Sequence, residues 1–264
     1  MKKTYLGLLS FTSLLFVTQP ASALFVNGGF ETGDTTGWTI DAGRSTSANS
    51  VDWNSSGSGS GSGKADVIDS TATMTGQTLD INPYNGNYMV RINDIFGSYD
   101  ATKISQTDNI SQQDIDDGAT LYINWGAALI DPSHSPGYQP FFEIDLSVNG
   151  AVVQTFSADA TDASTNPDWV NAGSSGGTLW YKADVWSFDL STFSVGDAVT
   201  LEMFASDCNL GGHGGYAFLD GIGTVYNPPD PGSQPVPEPA TALLMCAGLV
   251  GLLGYNRKRF FKKS

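Results

Sequence analysis

Basic residues, histidine and cysteine are all scarce in this 264-residue chain, and each shortage closes off a class of function. Lys and Arg number 12 against 27 Asp and Glu. Only five of the twelve, Arg44, Lys64, Arg91, Lys103 and Lys182, lie between residues 24 and 239, a stretch that holds all 27 acids and carries a net charge of −22. Nucleic acids and anionic lipids associate through Lys and Arg, so neither is expected as a partner. The charge is compatible with neutral sugars, divalent cations or simple solubility. Of the two cysteines, Cys246 sits in an apolar tail, which leaves Cys208 as the single thiol of the body. An internal disulfide is therefore excluded, and stability must come from the core or a metal. The two histidines, His134 and His213, each lie in a loop containing Gly or Pro, and neither has a partner at a metal-ligand spacing.

Long apolar runs are confined to the two ends. Lys2 and Lys3 precede an apolar run from Tyr5 to Val17, and Ala21-Ser22-Ala23 offers a small-residue cleavage site. Residues 1–23 thus read as a secretory signal peptide, with an apolar core too short for the roughly 20 residues of a membrane span. At the other end, residues 240–255 carry no charge and are followed by Arg257, Lys258, Arg259, Lys262 and Lys263. A basic cluster after an apolar segment halts export with the C-terminus inside. The segment is short for a span, and Gly248, Gly251 and Gly254 weaken it as a helix. A transient single transmembrane helix is expected, with an ordinary tail anchor as the alternative.

The order Val236-Pro237-Glu238-Pro239-Ala240-Thr241, apolar segment and Arg-rich end resembles the PEP-CTERM sorting tail of Gram-negative bacteria that make exopolysaccharide. The resemblance spans 236–259 and implies recognition by an exosortase, a membrane cysteine protease-transpeptidase, with cutting near Pro237-Glu238-Pro239. It also implies export to the cell envelope, with initial anchoring in the inner membrane by the C-terminus. The two prolines keep the motif extended, as a protease substrate should be. Residues 227–235 are read as a Pro-rich stalk between body and tail.

The body, residues 24–226, reads as strands. Phe142, Ile144, Leu146 and Val148 alternate with Phe141, Glu143, Asp145 and Ser147, then Asn149-Gly150 leads into Ala151 to Phe156. Period two on both sides of Asn-Gly is a strong hairpin signal. Similar alternation marks 88–92, 121–125, 180–188 and 199–203. No stretch keeps a helical apolar period over three turns. The expected fold is all-β, an antiparallel sandwich. The tracts 55–63 and 171–177 are read as Gly/Ser-rich loops.

Asn27-Gly-Gly-Phe-Glu-Thr-Gly33 with Gly37-Trp38 at the start, and Gly215-Tyr-Ala-Phe-Leu-Asp-Gly-Ile222 at the end, resemble the edges of the galactose-binding-like jelly roll found in carbohydrate-binding modules. That resemblance implies neighbouring first and last strands and a structural calcium ion held by Glu31 and Asp220. Gly221 departs from the pattern, standing where a second Asp is common.

Sugar binding needs aromatic faces for the apolar sides of pyranose rings. Of the six tryptophans, Trp38 and Trp125 have packing contexts, whereas Trp53 and Trp169 lie in polar loop context, as does Tyr138, and these three are the candidate platforms. Catalytic signals are weaker. Gly173-Ser174-Ser175-Gly176-Gly177 fits G-x-S-x-G by composition, without the strand-to-helix context a nucleophile elbow requires. Asp207-Cys208 with Gly211-Gly-His-Gly-Gly215 reads as a Gly-rich connection with a small buried thiol. The sequence thus points to a non-catalytic exported protein that binds exopolysaccharide, or to a purely structural envelope protein; a hydrolase is the third alternative.

Overall fold

The computed structural model describes residues 24–47, 49–55, 64–84, 86–94, 99–174 and 176–225. The expected signal peptide and stalk, the motif at Val236, Pro237, Glu238 and Pro239, and the apolar segment at 240–255 lie outside the described residues. Among the described residues no helix is long and apolar enough to cross a membrane.

The chain runs through β1 (Thr39–Thr46), β2 (Ser50–Asp52), β3 (Ala65–Ile68), β4 (Thr73–Met74), β5 (Gln77–Thr78), β6 (Met89–Ile92) and β7 (Asp100–Asn109). A short helix α1 (Gln112–Asp116) precedes β8 (Thr120–Asp131), β9 (Phe141–Val148) and β10 (Ala151–Asp159). A second, α2 (Ala160–Thr165), leads to β11 (Val170–Ser174), β12 (Thr178–Asp189), β13 (Ala198–Ser206) and β14 (Gly215–Gly223). Both helices begin with a capping box, Ser111 with Asp114 and Asp159 with Asp162, and neither is long enough to show an apolar period in the sequence.

Two antiparallel sheets of six strands face each other, ordered β10-β9-β13-β7-β1-β2 and β11-β12-β8-β14-β6-β3. The chain passes back and forth between them, which gives a sandwich of jelly-roll type. The first sheet is called A here and the second B. Their facing residues fill the core: Ile104, Phe142, Ile144, Leu146, Leu201 and Met203 from A, and Val90, Ile92, Leu121, Ile123, Trp125 and Leu129 from B, are all buried. Asn149 and Gly150 both adopt positive φ, 51° and 79°, so the β9–β10 hairpin closes through a type I′ turn.

The opening motif packs on the closing strand. Ile222 donates its backbone N–H to Gly28 O at 3.1 Å, and a Cβ at Gly28 would lie 2.5 Å from Ile222 O. Trp38 is buried against Phe25 and Phe30.

One loop assignment is corrected. Val170–Ser174 is not a loop but the edge strand of sheet B, pairing with β12 through a bulge between Asn171 and Gly173. Its Gly, Ser and Asn content suits an edge, where one row of backbone groups faces water. A second apolar cluster lies on the far side of sheet B. There Met74, Leu79 and Ile81, from the segment carrying β4 and β5, cover Met89, Ala128, Ile130, Tyr216 and Phe218.

Candidate functional site

Sheet A carries mostly polar groups on its outer face, partly exposed over much of its breadth but buried at Ala101, Ser206, Phe141 and Asp159. Strand register sets three cross-strand rows on it. One runs Asp41–Lys103–Phe204–Glu143–Ser157, one Thr39–Ser105–Glu202–Asp145–Thr155, and one Gly43–Ala101–Ser206–Phe141–Asp159. Trp53, just after β2, lies over the first and third rows. A Cβ at Gly43 would stand 2.5 Å from Trp53 Cε3, so the indole rests on the one strand position without a side chain. Trp53 meets Phe204 edge-on with ring centroids 5.4 Å apart, and Phe204 meets Phe141 in the same way at 5.5 Å. Trp53 and Phe204 are partly exposed, while Phe141 is only 2% exposed and forms the buried end of this aromatic strip.

Charged groups frame the strip. Lys103 Nζ stands 4.9 Å from the Trp53 ring centroid, donates to Glu202 Oε1 at 3.0 Å and lies 3.7 Å from Asp41 Oδ2. Thr155 donates its hydroxyl to Asp145. Burial between Phe204 and the β10 edge, and then the charge of Asp145, push the Glu143 carboxyl up to about 7. The face therefore offers aromatic surface, a cation and several hydrogen-bond acceptors, the combination that holds a sugar ring by its apolar side and its hydroxyls.

The three expected aromatic platforms separate. Trp53 stands on this face. Tyr138 is 38% exposed in the β8–β9 loop, where its N–H donates to Ser135 O at 3.2 Å. Trp169 is corrected: it is only 5% exposed and packs on Phe142 at 6.0 Å in the main core. A turn closed by Trp169 N–H to Asn166 O, at 3.1 Å, swings the indole inward, although its sequence neighbours are polar.

Glu31 and Asp220 both grip the 84–88 segment but through backbone amides. Glu31 Oε1 accepts from Asn87 N at 2.9 Å and Tyr88 N at 3.0 Å; Asp220 accepts from Tyr84 N through Oδ2 and from Gly221 N through Oδ1 at 2.6 Å. N–H donors aimed at both carboxylates make a clamp on the chain, and a poor fit for the oxygen cage that calcium requires. Beside Asp220, a cavity of about 190 Å³ opens between Ile81, Tyr84, Asn124 and Phe218. It is smaller than the roughly 300–1,000 Å³ of most small-molecule sites.

A grouping invisible in the sequence lies at one end of the sandwich. His134, Cys208 and His213 present ligand atoms all within 4.8 Å of one another, so the histidines do have partners. Cys208 Sγ is 3.6 Å from His213 Nδ1, and the two imidazoles meet edge to face at 5.1 Å. Burial, and then the neighbouring His134, lower the His213 pKa. Next in the chain, Asp207 points the other way, accepting from Asn93 Nδ2 at 3.0 Å, and burial followed by the charge of Asp100 pushes its carboxyl up to about 8. The one local trace of this grouping is the spacing of Cys208 and His213 around Gly211-Gly212.

Residues 235–259 match the family model described as the PEP-CTERM protein-sorting motif. The chain thus carries a sorting signal of the kind exosortases process. No curated protein matches the chain. Among solved structures, it is similar to TmCBM61 in complex with beta-1,4-galactotriose, with 13% identity, 76% of this chain and 97% of that chain covered, and a TM-score of 0.37. It is also similar to CBM27-1 of Caldicellulosiruptor saccharolyticus in complex with mannohexaose, with 13% identity, 75% and 94% coverage, and a TM-score of 0.39. A cyclase from Fischerella sp. TAU stands at 14% identity, 75% and 93% coverage, and a TM-score of 0.40. These are similarities of strand arrangement, and what those proteins bind or convert is said of them alone.

Proposed function

We propose that the chain is an exported, non-catalytic protein of the envelope or extracellular matrix of a Gram-negative bacterium, and that its sandwich binds neutral polysaccharide on the outer face of sheet A. In this reading the C-terminal helix holds the chain in the inner membrane until an exosortase cuts near Pro237-Glu238-Pro239. The observation that carries the reading is the pair Trp53–Phe204, two partly exposed rings on the polar outer face of sheet A, backed by the buried Phe141. Aromatic rings left partly exposed on a polar face suit a partner with apolar faces. The high negative charge favours uncharged glycans over acidic ones.

A non-catalytic role accords with the context of Gly173 to Gly177, which joins β11 to β12. There the edge strand β11 is followed in sequence by strand β12, where a nucleophile elbow needs a strand followed by a helix.

The test is binding of the purified protein to the producing bacterium's exopolysaccharide and to a panel of neutral glycans. Saturable binding is expected, weakened about tenfold or more by Trp53→Ala, since one stacked ring contributes about 1–3 kcal/mol in comparable aromatic stacking. Tyr138→Ala distinguishes a binding surface that extends to the β8–β9 loop from one confined to sheet A. Saturable binding untouched by Trp53→Ala and Phe204→Ala would remove this face as the site, and no binding at all would leave a structural envelope protein. Processing is read separately: a C-terminal peptide ending upstream of Ala240 in the mass spectrum of the exported protein supports the cut, and an intact Ser264 terminus opposes it.

A further inference from the structure

His134, Cys208 and His213 come from two loops at the same end of the sandwich, and hydrogen bonds order both loops. The loop between β13 and β14 folds back on itself: Cys208 N–H donates to His213 O at 2.9 Å and Gly211 N–H to Cys208 O at 3.3 Å. Gly211 and Gly212 adopt φ of 85° and 86°, a left-handed pair that brings the two ends of the loop together. The loop between β8 and β9 is closed by Gln139 Nε2, which donates to His134 O at 2.5 Å. Both loops are thus fixed by hydrogen bonds to their backbone, including one from Cys208 Sγ to Gly211 O at 3.3 Å.

The geometry matches a particular coordination. A tetrahedral ion with bonds of about 2.3 Å to sulfur and about 2.1 Å to nitrogen places those two ligand atoms about 3.6 Å apart. The separation of Cys208 Sγ from His213 Nδ1 is 3.6 Å. All ligand atoms of the three residues fall within 4.8 Å, so His134 needs to close by about 1 Å to complete a face of the tetrahedron. His134 Nδ1 is buried and makes no hydrogen bond among the described residues, an orphaned polar atom on the residue that must move. Thiolate and imidazole select borderline and soft transition ions, whereas calcium and magnesium take oxygen ligands. Asp207, the nearest carboxylate in sequence, is turned away toward Asn93.

We propose that His134, Cys208 and His213 form a three-ligand zinc site, separate from the aromatic face of sheet A and open at its fourth position. Both imidazoles are partly exposed, which leaves that position to water or to a donor from outside the chain. Binding pins the β8–β9 loop to the β13–β14 loop and so fastens sheets A and B together at an end where the single thiol has no disulfide partner.

The experiment uses the full chain, purified in detergent without a polyhistidine tag and in a Cys246→Ala background, so that Cys208 is the single thiol. Zinc is titrated against a chromophoric chelator, and cobalt is substituted to read the thiolate charge-transfer absorption. One equivalent of zinc is expected, with that absorption present, and calcium and magnesium are expected not to compete. Cys208→Ser should abolish the absorption. His134→Gln and His213→Gln should each weaken zinc binding at least about tenfold, since loss of even an outer-shell partner costs about 10–100-fold. His134→Gln changes a partly exposed loop residue, so it keeps the test informative if the buried Cys208→Ser variant fails to fold, which circular dichroism and the thermal midpoint will show. Absence of stoichiometric zinc binding, binding unaffected by His134→Gln and His213→Gln, or displacement by calcium would each overturn the proposal.

Discussion

The outer faces of the two sheets differ, although their inner faces are built alike. On sheet B the outward positions of β6, β8 and β14 include Met89, Ala128, Ile130, Tyr216 and Phe218, and these are covered by Met74, Leu79 and Ile81. The covering segment is itself tied down by Ala72 N–H to Ile81 O at 2.8 Å and Leu79 N–H to Ala72 O at 2.9 Å. On sheet A the outward positions are mostly Thr, Ser, Lys, Glu and Asp, with Gly43, Ala101 and Phe141 buried in one row and the rings of Trp53 and Phe204 partly exposed. An apolar outer face has to be buried within the chain, and sheet B recruits a hairpin for it. A polar face can stay wet, so aromatic rings that remain there have a different use.

The largest effect that would break this comparison is on stability. Phe218→Ala, at a position 1% exposed and packed against Tyr216, should lose about 3–5 kcal/mol, read as a drop in the denaturation midpoint. Phe204→Ala on sheet A should cost less than half of that while reducing glycan binding. Equal losses at the two positions would mean that sheet A's strip is packing rather than surface.

A smaller effect sharpens the assignment of Trp53. In Gly43→Ala the new Cβ would stand 2.5 Å from Trp53 Cε3 and 2.6 Å from Val51 Cγ1, so both side chains must move. Overpacking of this kind costs about 1–3 kcal/mol in a core, and about 1 kcal/mol is expected here, where the indole can lift toward solvent. Glycan affinity should fall along with Trp53's indole fluorescence signature on binding. Unchanged affinity with a displaced indole would separate Trp53 from the ligand.

The sandwich was legible where one face of a strand is polar. β9 shows strict alternation because Glu143, Asp145 and Ser147 face water, and Asn149-Gly150 marks its turn without ambiguity. In β8 the alternation is visible only as far as Trp125. From Gly126 to Ile130 both faces are buried, one by the core and one by the covering hairpin, and period two disappears. β11 was hidden by its Gly and Ser content. The site was less legible still. Trp53 and Trp169 have equally polar sequence neighbours, and a turn at Asn166 decides that one stands on a sheet and the other enters the core. His134 lies far from Cys208 in sequence, and only the packing of two loops brings them together.

The smallest predicted effect concerns charge on sheet A. Burial, and then the Asp145 carboxylate, push the Glu143 carboxyl up to about 7 in the folded protein from an ordinary 4.5. A carboxyl with a raised folded pKa binds its proton more tightly in the native state. Its contribution is therefore complete below about pH 4.5 and is lost as the pH rises through about 7. The shift of the carboxyl would correspond to about 3 kcal/mol if it were fully buried, but it is half-exposed and solvent screening reduces the expected change to about 1 kcal/mol. The wild type should accordingly lose midpoint between pH 5 and pH 8 relative to Glu143→Gln, which cannot ionise. Taking the difference between the two proteins removes the contribution of Asp207, whose raised pKa of about 8 acts in the same direction from the buried end of β13. Parallel pH profiles for the two proteins would mean that water reaches Glu143 freely, and that the row Phe204–Glu143–Ser157 is a more open surface than its packing implies.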